Sequence, residues 1–232
     1  RMPLENLALI ERSGFDEVAV PCAGCYIRFR SVQHEIREDP ALKRRLDEAI
    51  GYEYQDTVKV RSLVETMAER VGVETIAEKV QKPLKGLKVA CYYGCALTRP
   101  PKITGAPHHE YPMIMDRLVR ALGAQTVDWD GKTRCCGAEL GLVVPERAIE
   151  MSRWLIDRAR AVGADCIAVA CPLCHANLDG RQLQMKDLEE KMPILYFTQL
   201  MSLAFGMDAK VAGLDKNLVD PFPLLRAKGF VS

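Results

Sequence analysis

The sequence predicts an α/β protein of two similar domains, each with a small parallel sheet flanked by helices. In residues 86–206, apolar segments of strand length alternate with segments of helical periodicity. Such alternation is typical of a parallel sheet covered by helices. The stretch DEVAVPCAGCY at 16–26 also aligns with DCIAVACPLCH at 165–175, at an offset of 149 residues. Both CxxC motifs coincide in this alignment, which indicates a domain duplication.

The second copy contains the longer series of elements. Its helix at 145–163 begins with a proline and ends at a glycine, as helices commonly do. The predicted elements in chain order are a strand at 86–93, a helix at 109–123, a short strand at 124–130, the helix at 145–163, a strand at 165–170, a helix at about 175–191, a strand at 194–197 and a helix at 198–206.

The first copy begins within a helix and continues with a strand, a CxxC motif and a second helix. Residues 58–72 are predicted to form a strand and a helix equivalent to 194–206. Residues 79–86 are predicted to link the two copies, and the tail at 214–232 is predicted to be an irregular surface segment. We therefore predict two domains, at 1–83 and 84–232.

The first domain is predicted to be N-terminally truncated. At the repeat offset, the counterparts of Cys95 and of the Cys135–Cys136 pair fall before Arg1, so about 55 residues or more are missing from the first copy. The alternative is a degenerate first copy with Arg1 near the natural start. An upstream sequence with another CCG would distinguish the two.

Composition narrows the classes of partner. Hydrophobic residues make up 48% of the chain and charged residues 27%, and the net charge is +1. This balance gives no reason to expect nucleic acid or an acidic membrane surface as partner. No apolar stretch approaches the roughly 18 residues that span a bilayer. We expect a cytoplasmic protein without a membrane span.

The nine cysteines indicate metal or redox chemistry, because a secreted disulfide framework belongs to shorter chains and an odd number leaves one thiol over. Five of them follow successive predicted strands of the second copy, and the carboxyl ends of parallel strands meet at one edge of a sheet. We expect these five to converge, with the first-copy CxxC as a further candidate pair. The candidate ligands are Cys95, Cys135, Cys136, Cys171 and Cys174, and in the first copy Cys22 and Cys25.

Five thiolates exceed the four of a structural zinc site, whereas iron–sulfur clusters are held mainly by cysteine thiolates. The adjacent Cys135 and Cys136 close a strained ring if they form a disulfide, but they suit two different metal atoms of one cluster. A zinc site formed by Cys171, Cys174 and two other ligands is an alternative interpretation. A thioredoxin-like dithiol explains one CxxC and leaves the adjacent pair without a role.

Three further residues lie near these motifs, and each has an interpretation as a structural residue. Cys91 and Cys166 lie within predicted strands and are expected to be small buried hydrophobic residues. His175 follows Cys174 and is either a hydrogen-bond donor to a cluster or substrate, or a helix-cap or surface residue.

The proline-rich loop after Cys95 carries four polar candidates. Arg99 and Lys102 are candidates for binding a carboxylate, sulfonate or phosphate of a substrate. His108 and His109 lie in a segment that lines a substrate channel or merely covers an edge of the sheet.

The spacing Cys95, 39 residues, Cys135–Cys136, 34 residues, Cys171-x-x-Cys174 resembles the cysteine-rich CCG domain in the B subunit of heterodisulfide reductase. The flanking stretches YYGCALTRP, DRLVRALGA, VDWDGKTRCCGAE and VACPLCHANLD are also similar to that protein. The 34-residue interval is slightly shorter than usual in the family, and the first half of the N-terminal motif is absent.

The resemblance implies two CCG-type domains and two non-cubane [4Fe-4S] clusters. One cluster would be held by all five cysteines of the second copy, and the other only partly by Cys22 and Cys25. It further implies reductive cleavage of a disulfide to two thiols, such as the mixed disulfide of coenzymes M and B in methanogenesis. Electrons would come from the ferredoxin-like C subunit of the same complex, itself supplied by the flavin-containing A subunit. The resemblance assigns no general base.

Two alternatives remain. CCG domains also occur in electron-transfer subunits linked to lactate, glycolate or succinate oxidation and to quinones. A fused CxxCxxCxxxCP segment would favour that function, and this sequence has none. The other alternative is a zinc-binding structural protein without redox turnover.

Overall fold

The computed structural model describes residues 1–188 and 190–231, and within them it contains a two-stranded and a four-stranded sheet. The strands are β1 Glu17–Val20, β2 Lys59–Ser62, β3 Lys88–Tyr92, β4 Gln125–Thr126, β5 Cys166–Val169 and β6 Ile194–Tyr196. β1 pairs with β2, the larger sheet has the order β4-β3-β5-β6, and every pair is parallel. The predicted α/β class with small parallel sheets flanked by helices is confirmed.

Helices connect and cover these strands. They are α1 Met2–Arg12, α2 Ala23–Glu38, α3 Pro40–Ile50, α4 Leu63–Glu65, α5 Val73–Glu78, α6 Pro101–Thr104, α7 Ile114–Ala121, α8 Pro145–Ala161, α9 Pro172–Arg181, α10 Phe197–Ala204 and α11 Phe222–Ala227. A π-helical segment, Thr66–Gly72, joins α4 to α5. No helix in the described part of the chain is both long and apolar enough to cross a lipid bilayer.

The two sheets repeat one local arrangement around the CxxC motifs. In each, a strand is followed by a cysteine at the N-cap of the next helix, Cys22 before α2 and Cys171 before α9. Their backbone angles nearly coincide, with φ −115° and ψ 120° at Cys22 and φ −108° and ψ 125° at Cys171. The second cysteine of each motif therefore lies in the first helical turn, close to the free backbone N–H groups.

The four-stranded sheet is covered on both faces, as parallel sheets usually are. Along β3, Val89 and Cys91 face the core formed with α7 and α10, while Ala90 and Tyr92 face the core formed with α8 and α9. These four residues are at most 1% exposed. Because side chains alternate along a strand, neighbouring residues of β3 belong to different cores.

The first sheet is not isolated from the second. Val64 of α4 and Ile76 of α5 share a buried core with Leu118 and Val119 of α7. The division at 83/84 stays a prediction, since this shared core gives no test of where one domain ends.

Two predicted helices have different limits. Helix α7 begins at Ile114 and not at 109, because Pro112 disfavours helical geometry in the residue before it. Helix α9 begins at Pro172 and ends at Arg181, followed by a 3₁₀ turn to Gln184, so the prediction that it reaches 191 was wrong. The Gln182 amide forms hydrogen bonds with the backbone N–H and C=O of Met192, which turns the chain back toward β6.

The tail is more regular than predicted. Helix α11 forms within it, and Leu225 is fully buried in the core that contains α7 and α10. The prediction of a wholly irregular surface segment was therefore wrong, because burial of this apolar turn stabilises the helix. Ser232 lies outside the described residues.

A buried ion pair joins α7 to the loop that precedes Cys135. Lys132 is 2% and Asp116 1% exposed, and Nζ lies 2.6 Å from Oδ1. The Tyr93 hydroxyl donates to the other carboxylate oxygen at 2.6 Å, and the carbonyl of Lys132 accepts from the N–H groups of Tyr93 and Gly94. Removal of one partner would leave an uncompensated buried charge, which costs about 3–5 kcal/mol.

We therefore expect Lys132→Met to lower the free energy of unfolding by about 3–5 kcal/mol, measured by urea denaturation. The control is Arg147→Met, which removes an exposed ion pair with Glu150 and should change the free energy by about 0–1 kcal/mol. Equal effects of the two substitutions would contradict a structural role for the buried pair.

Candidate metal centre

The thiols after β3, β4 and β5 meet at the carboxyl edge of the larger sheet. The Cys95 thiol lies beside the Cys135 sulfur, and the Cys174 thiol lies beside the sulfurs of Cys136 and Cys171. The structure thus brings the five predicted ligands of the second copy together as a pair and a trio. Cys95 also interacts electrostatically with Cys136, which connects the pair to the trio.

The environment of Cys135 favours its thiolate. The hydrogen bond from Cys95 lowers the pKa of Cys135 to about 6, while burial opposes this shift. The backbone N–H of Gly137 also donates to the Cys135 sulfur, at 3.3 Å. The pKa of Cys95 is raised in turn, first by its interaction with Cys135 and then by burial.

Cys174 lies beside the thiols of Cys136 and Cys171 and carries a single S–H proton. Its thiol lowers the pKa of Cys171 to about 5, against burial, and that of Cys136 in the same direction. Backbone N–H groups of Cys174 and Leu173 also favour the Cys171 thiolate, as expected at a helix N-terminus. A third N–H comes from Ala23, so the first CxxC segment lies directly against the second.

The first-copy pair is adjacent to this group. The Cys22 and Cys25 thiols lie beside each other, and Cys25 interacts electrostatically with Cys171. Burial is the main cause that raises the pKa of Cys25, with the two neighbouring thiols adding to it. All seven cysteines predicted as ligands therefore lie along one junction between the two sheets.

The thiols extend from the interior to the surface. Cys136, Cys171 and Cys174 are buried, whereas Cys95 is half-buried and Cys135 exposed. Across residues 1–188 and 190–231, no group of three or more His, Cys, Asp or Glu side chains has the arrangement that holds a metal ion.

Two features of these residues fit a thiolate-bound cluster: their sulfur donors, and a glycine whose backbone passes close to the thiols. Thiolates are the usual ligands of iron–sulfur clusters. Gly94, at φ +68°, passes so close to the thiols that an added Cβ would lie 3.2 Å from the Cys174 sulfur. Only glycine combines this conformation with the close approach.

Buried polar side chains fix the backbone of the CCG turn. The Asn177 amide donates to the carbonyl of Cys136 at 2.7 Å, and the Ser152 hydroxyl donates to the same carbonyl at 3.2 Å. The Asn177 amide also donates to Ser152 at 2.9 Å, and both side chains are buried. Sequence reasoning missed both residues. The available signal for Asn177 was its position three residues after Cys174, which places the two on neighbouring turns of one helix face.

Tyr92, the last residue of β3, was also missed. Its hydroxyl donates to the carbonyl of Arg134 at 2.6 Å and lies beside Cys136, whose pKa it lowers. Burial raises its pKa, and the nearby sulfurs of Cys174, Cys136, Cys135 and Cys95 raise it further. Side chains alternate between the two faces along β3, so the sequence could have placed Tyr92 on the face opposite Cys91.

The structure agrees with the interpretation of Cys91 and Cys166, whereas the interpretation of His175 as a helix-cap or surface residue was wrong, because its ring is buried. Cys91 and Cys166 are fully buried in the sheet core, and burial raises the pKa of Cys166 to about 12. The His175 ring stacks on Tyr196 at 4.2 Å, with Nε2 3.0 Å from the carbonyl oxygen of Ile194. Burial lowers the pKa of His175, and these contacts give it a structural role.

The proline-rich loop is joined to the segment before Cys135. Arg99 forms an ion pair with Glu110 and donates to the hydroxyl of Thr133 at 3.2 Å. Arg99 thus already has acidic and hydroxyl partners within the chain, while Lys102 is exposed. The candidate channel residue His108 lines a cavity of about 250 Å³, whereas the Nε2 atom of His109 lies 3.6 Å from the Glu110 carboxylate.

Comparison with known proteins places this site in a family. The cysteine-rich CCG domain family matches residues 89–179. The B subunit of the ferredoxin/F(420)H(2)-dependent CoB-CoM heterodisulfide reductase of Methanosarcina acetivorans is 35% identical over 228 residues, 95% of this chain and 75% of that protein. The membrane anchor subunit of the 8-methylmenaquinol:fumarate reductase of Wolinella succinogenes is 34% identical over 221 residues, 93% of this chain and 76% of that protein.

A crystal structure of a hypothetical protein from Helicobacter pylori has the same fold, with a TM-score of 0.74 at 15% identity. It covers 94% of this chain, which spans 41% of that protein's chain. The identity and coverage of the Methanosarcina relative, together with the CCG domain at 89–179, show that the chain belongs to the family of heterodisulfide reductase B subunits.

Proposed function

We propose that the protein is the catalytic iron–sulfur subunit of a heterodisulfide reductase-type complex. It would be an oxidoreductase acting on a sulfur group, which cleaves a disulfide to two thiols with two electrons and two protons. The mixed disulfide of coenzymes M and B is a candidate substrate, since relatives from Methanosarcina are named as subunits of CoB-CoM heterodisulfide reductases. Cytoplasmic location remains part of this proposal.

One observation carries the proposal: five thiols from three loops lie close enough at one sheet edge to shift one another's pKa values. The set exceeds the four ligands of a structural zinc ion. Its adjacent cysteines have different partners, Cys95 for Cys135 and Cys174 for Cys136. This division suits a cluster in which the two cysteines bind different irons.

The five cysteines of the second copy would hold one non-cubane [4Fe-4S] cluster, and Cys22 and Cys25 part of a second. When bound, the clusters would supply the electrons for disulfide cleavage. The chain itself orients the thiolates through Asn177 and Gly137, and the buried faces around Cys136 keep water from the inner ligands.

The proximity of the two CxxC segments supports a site between two clusters. The backbone of Ala23 in the first segment lowers the pKa of Cys171 in the second, and a Cβ added at Gly24 would lie 3.6 Å from the Leu173 side chain. A disulfide at this junction would be near thiolates from both copies, with Cys25 and Cys135 on the exposed side. The electron donors proposed are the ferredoxin-like C subunit of the complex and, before it, the flavin-containing A subunit.

The second candidate function is electron relay without disulfide chemistry. Its specific support is the fumarate reductase relative, which is nearly as similar as the heterodisulfide reductase subunits. In that case the clusters would pass electrons to or from another protein of the complex. Both functions require iron and sulfide, so metal content alone does not distinguish them.

The test is to purify the native protein anaerobically and measure iron, acid-labile sulfide and zinc, with electron paramagnetic resonance before and after addition of a thiol. Two four-iron clusters predict about eight iron atoms and eight sulfides per chain. A new thiol-dependent signal would support disulfide chemistry, and its absence would favour relay. About one zinc without sulfide would contradict both functions.

Substitution of single cysteines tests the ligand set. Cys174→Ala should remove the iron of one cluster, about half of the total if two are present. Cys166→Ala is the matched control, because that buried thiol contacts none of the proposed ligands and should leave the iron content unchanged. Equal iron loss in the two variants would contradict the assignment.

The Asn177 contact with Cys136 makes a further prediction. Asn177→Leu leaves the buried carbonyl with one donor fewer and should lower metal affinity by about 10–100-fold, as loss of such supporting contacts typically does. Gln182→Leu is the control, since this buried amide lies on the adjoining turn and its bonds within the described residues go to Leu178 and Met192. Competition with an iron chelator measures both, and similar losses would mean that Asn177 acts through general stability.

A further inference from the structure

Tyr92 occupies a position that the proposed ligand set does not explain. It is the last residue of β3, is 1% exposed, and its ring packs 6.2 Å from that of Trp129. Its hydroxyl extends past the end of the sheet toward the thiols. An added Cβ at Gly94 would lie 3.6 Å from this hydroxyl oxygen and 3.2 Å from the Cys174 sulfur.

The hydroxyl has one hydrogen-bond acceptor and one neighbouring sulfur on the same turn. It donates to the carbonyl of Arg134 at 2.6 Å, and it lies beside the sulfur of Cys136, whose pKa it lowers. Arg134 and Cys136 flank Cys135, so Tyr92 lies against the CCG turn on both sides of the exposed cysteine. A buried hydroxyl without such partners would be unfavourable, which keeps the side chain in this place.

A phenol has one proton for these two acceptors. When Cys136 is a thiol, it can donate to the phenol oxygen while the phenol donates to the Arg134 carbonyl. When Cys136 is a metal-bound thiolate it has no proton to donate, and a charged acceptor forms the stronger hydrogen bond. Metal binding therefore favours donation from Tyr92 to the Cys136 sulfur.

We propose that Tyr92 is a positioning residue of the metal centre, which donates a hydrogen bond to metal-bound Cys136 and raises the reduction potential of the cluster. The inference rests on the proposed function, because it requires a redox-active cluster at these cysteines. Hydrogen bonds to cluster sulfurs are among the factors that set such potentials. A donor aimed at a thiolate stabilises the reduced state, which carries the additional negative charge.

The test compares Tyr92→Phe with Tyr93→Phe in the anaerobically purified protein. Both variants lose one buried hydroxyl from neighbouring positions, but the Tyr93 hydroxyl bonds to Asp116 on the other face of the sheet. Redox titration followed by electron paramagnetic resonance gives the midpoint potential. Electron–nuclear double resonance, before and after exchange into D₂O, detects an exchangeable proton coupled to the cluster.

Tyr92→Phe should shift the midpoint potential to a more negative value and lose one exchangeable-proton coupling, whereas Tyr93→Phe should keep both. Loss of iron from Tyr92→Phe alone would also support the positioning role. Unchanged potential and coupling in Tyr92→Phe, or equal changes in both variants, would overturn the inference but leave the proposed function standing. If the unsubstituted protein contained no iron, the proposed function and this inference would both be overturned.

Discussion

The parallel pairing of β3 with β5 is the constraint on which the site depends. In this register Tyr92 lies opposite Val169, so both strands end at the same level of the sheet. The chain then enters the loop of Cys95 on one strand and the CxxC motif that begins at Cys171 on the other. An antiparallel pair would place these two cysteines at opposite edges, and no set of short loops would bring them together. The convergence of these cysteines is therefore a consequence of strand direction.

Strand direction does not by itself position the CCG turn. The preceding strand, β4, has only two residues and pairs with only two residues of β3. The turn is instead held by side chains: Lys132 pairs with Asp116 on α7, Asn177 on α9 bonds to the carbonyl of Cys136, and Tyr92 bonds to the carbonyl of Arg134. These groups are buried, and buried polar groups that lose a partner are unfavourable. A small network of buried polar side chains on an apolar scaffold therefore positions the CCG turn.

Much of this organisation was predictable from the sequence. The alternation of apolar segments indicates the α/β class, and the order of cysteines after strands indicates their convergence. The residues that sequence reasoning missed act through partners that are distant along the chain: Tyr92 contacts a carbonyl 42 residues away, and Asn177 one 41 residues away. Such contacts leave no local periodicity to detect. The helix limits missed near Pro112 and Gln182 likewise depend on a proline and on a side-chain hydrogen bond, which periodicity does not represent.

We propose that five cysteines of the second copy bind one iron–sulfur cluster together. Crystals of the anaerobically purified protein, with anomalous diffraction recorded at the iron and zinc absorption edges, would locate the metal and identify it. We expect iron at the carboxyl edge of the four-stranded sheet, in contact with the sulfurs of Cys95, Cys135, Cys136, Cys171 and Cys174, with Cys135 and Cys136 on different irons. A single zinc bound by four of these sulfurs, or a cluster that leaves Cys135 or Cys136 unbound, would contradict it.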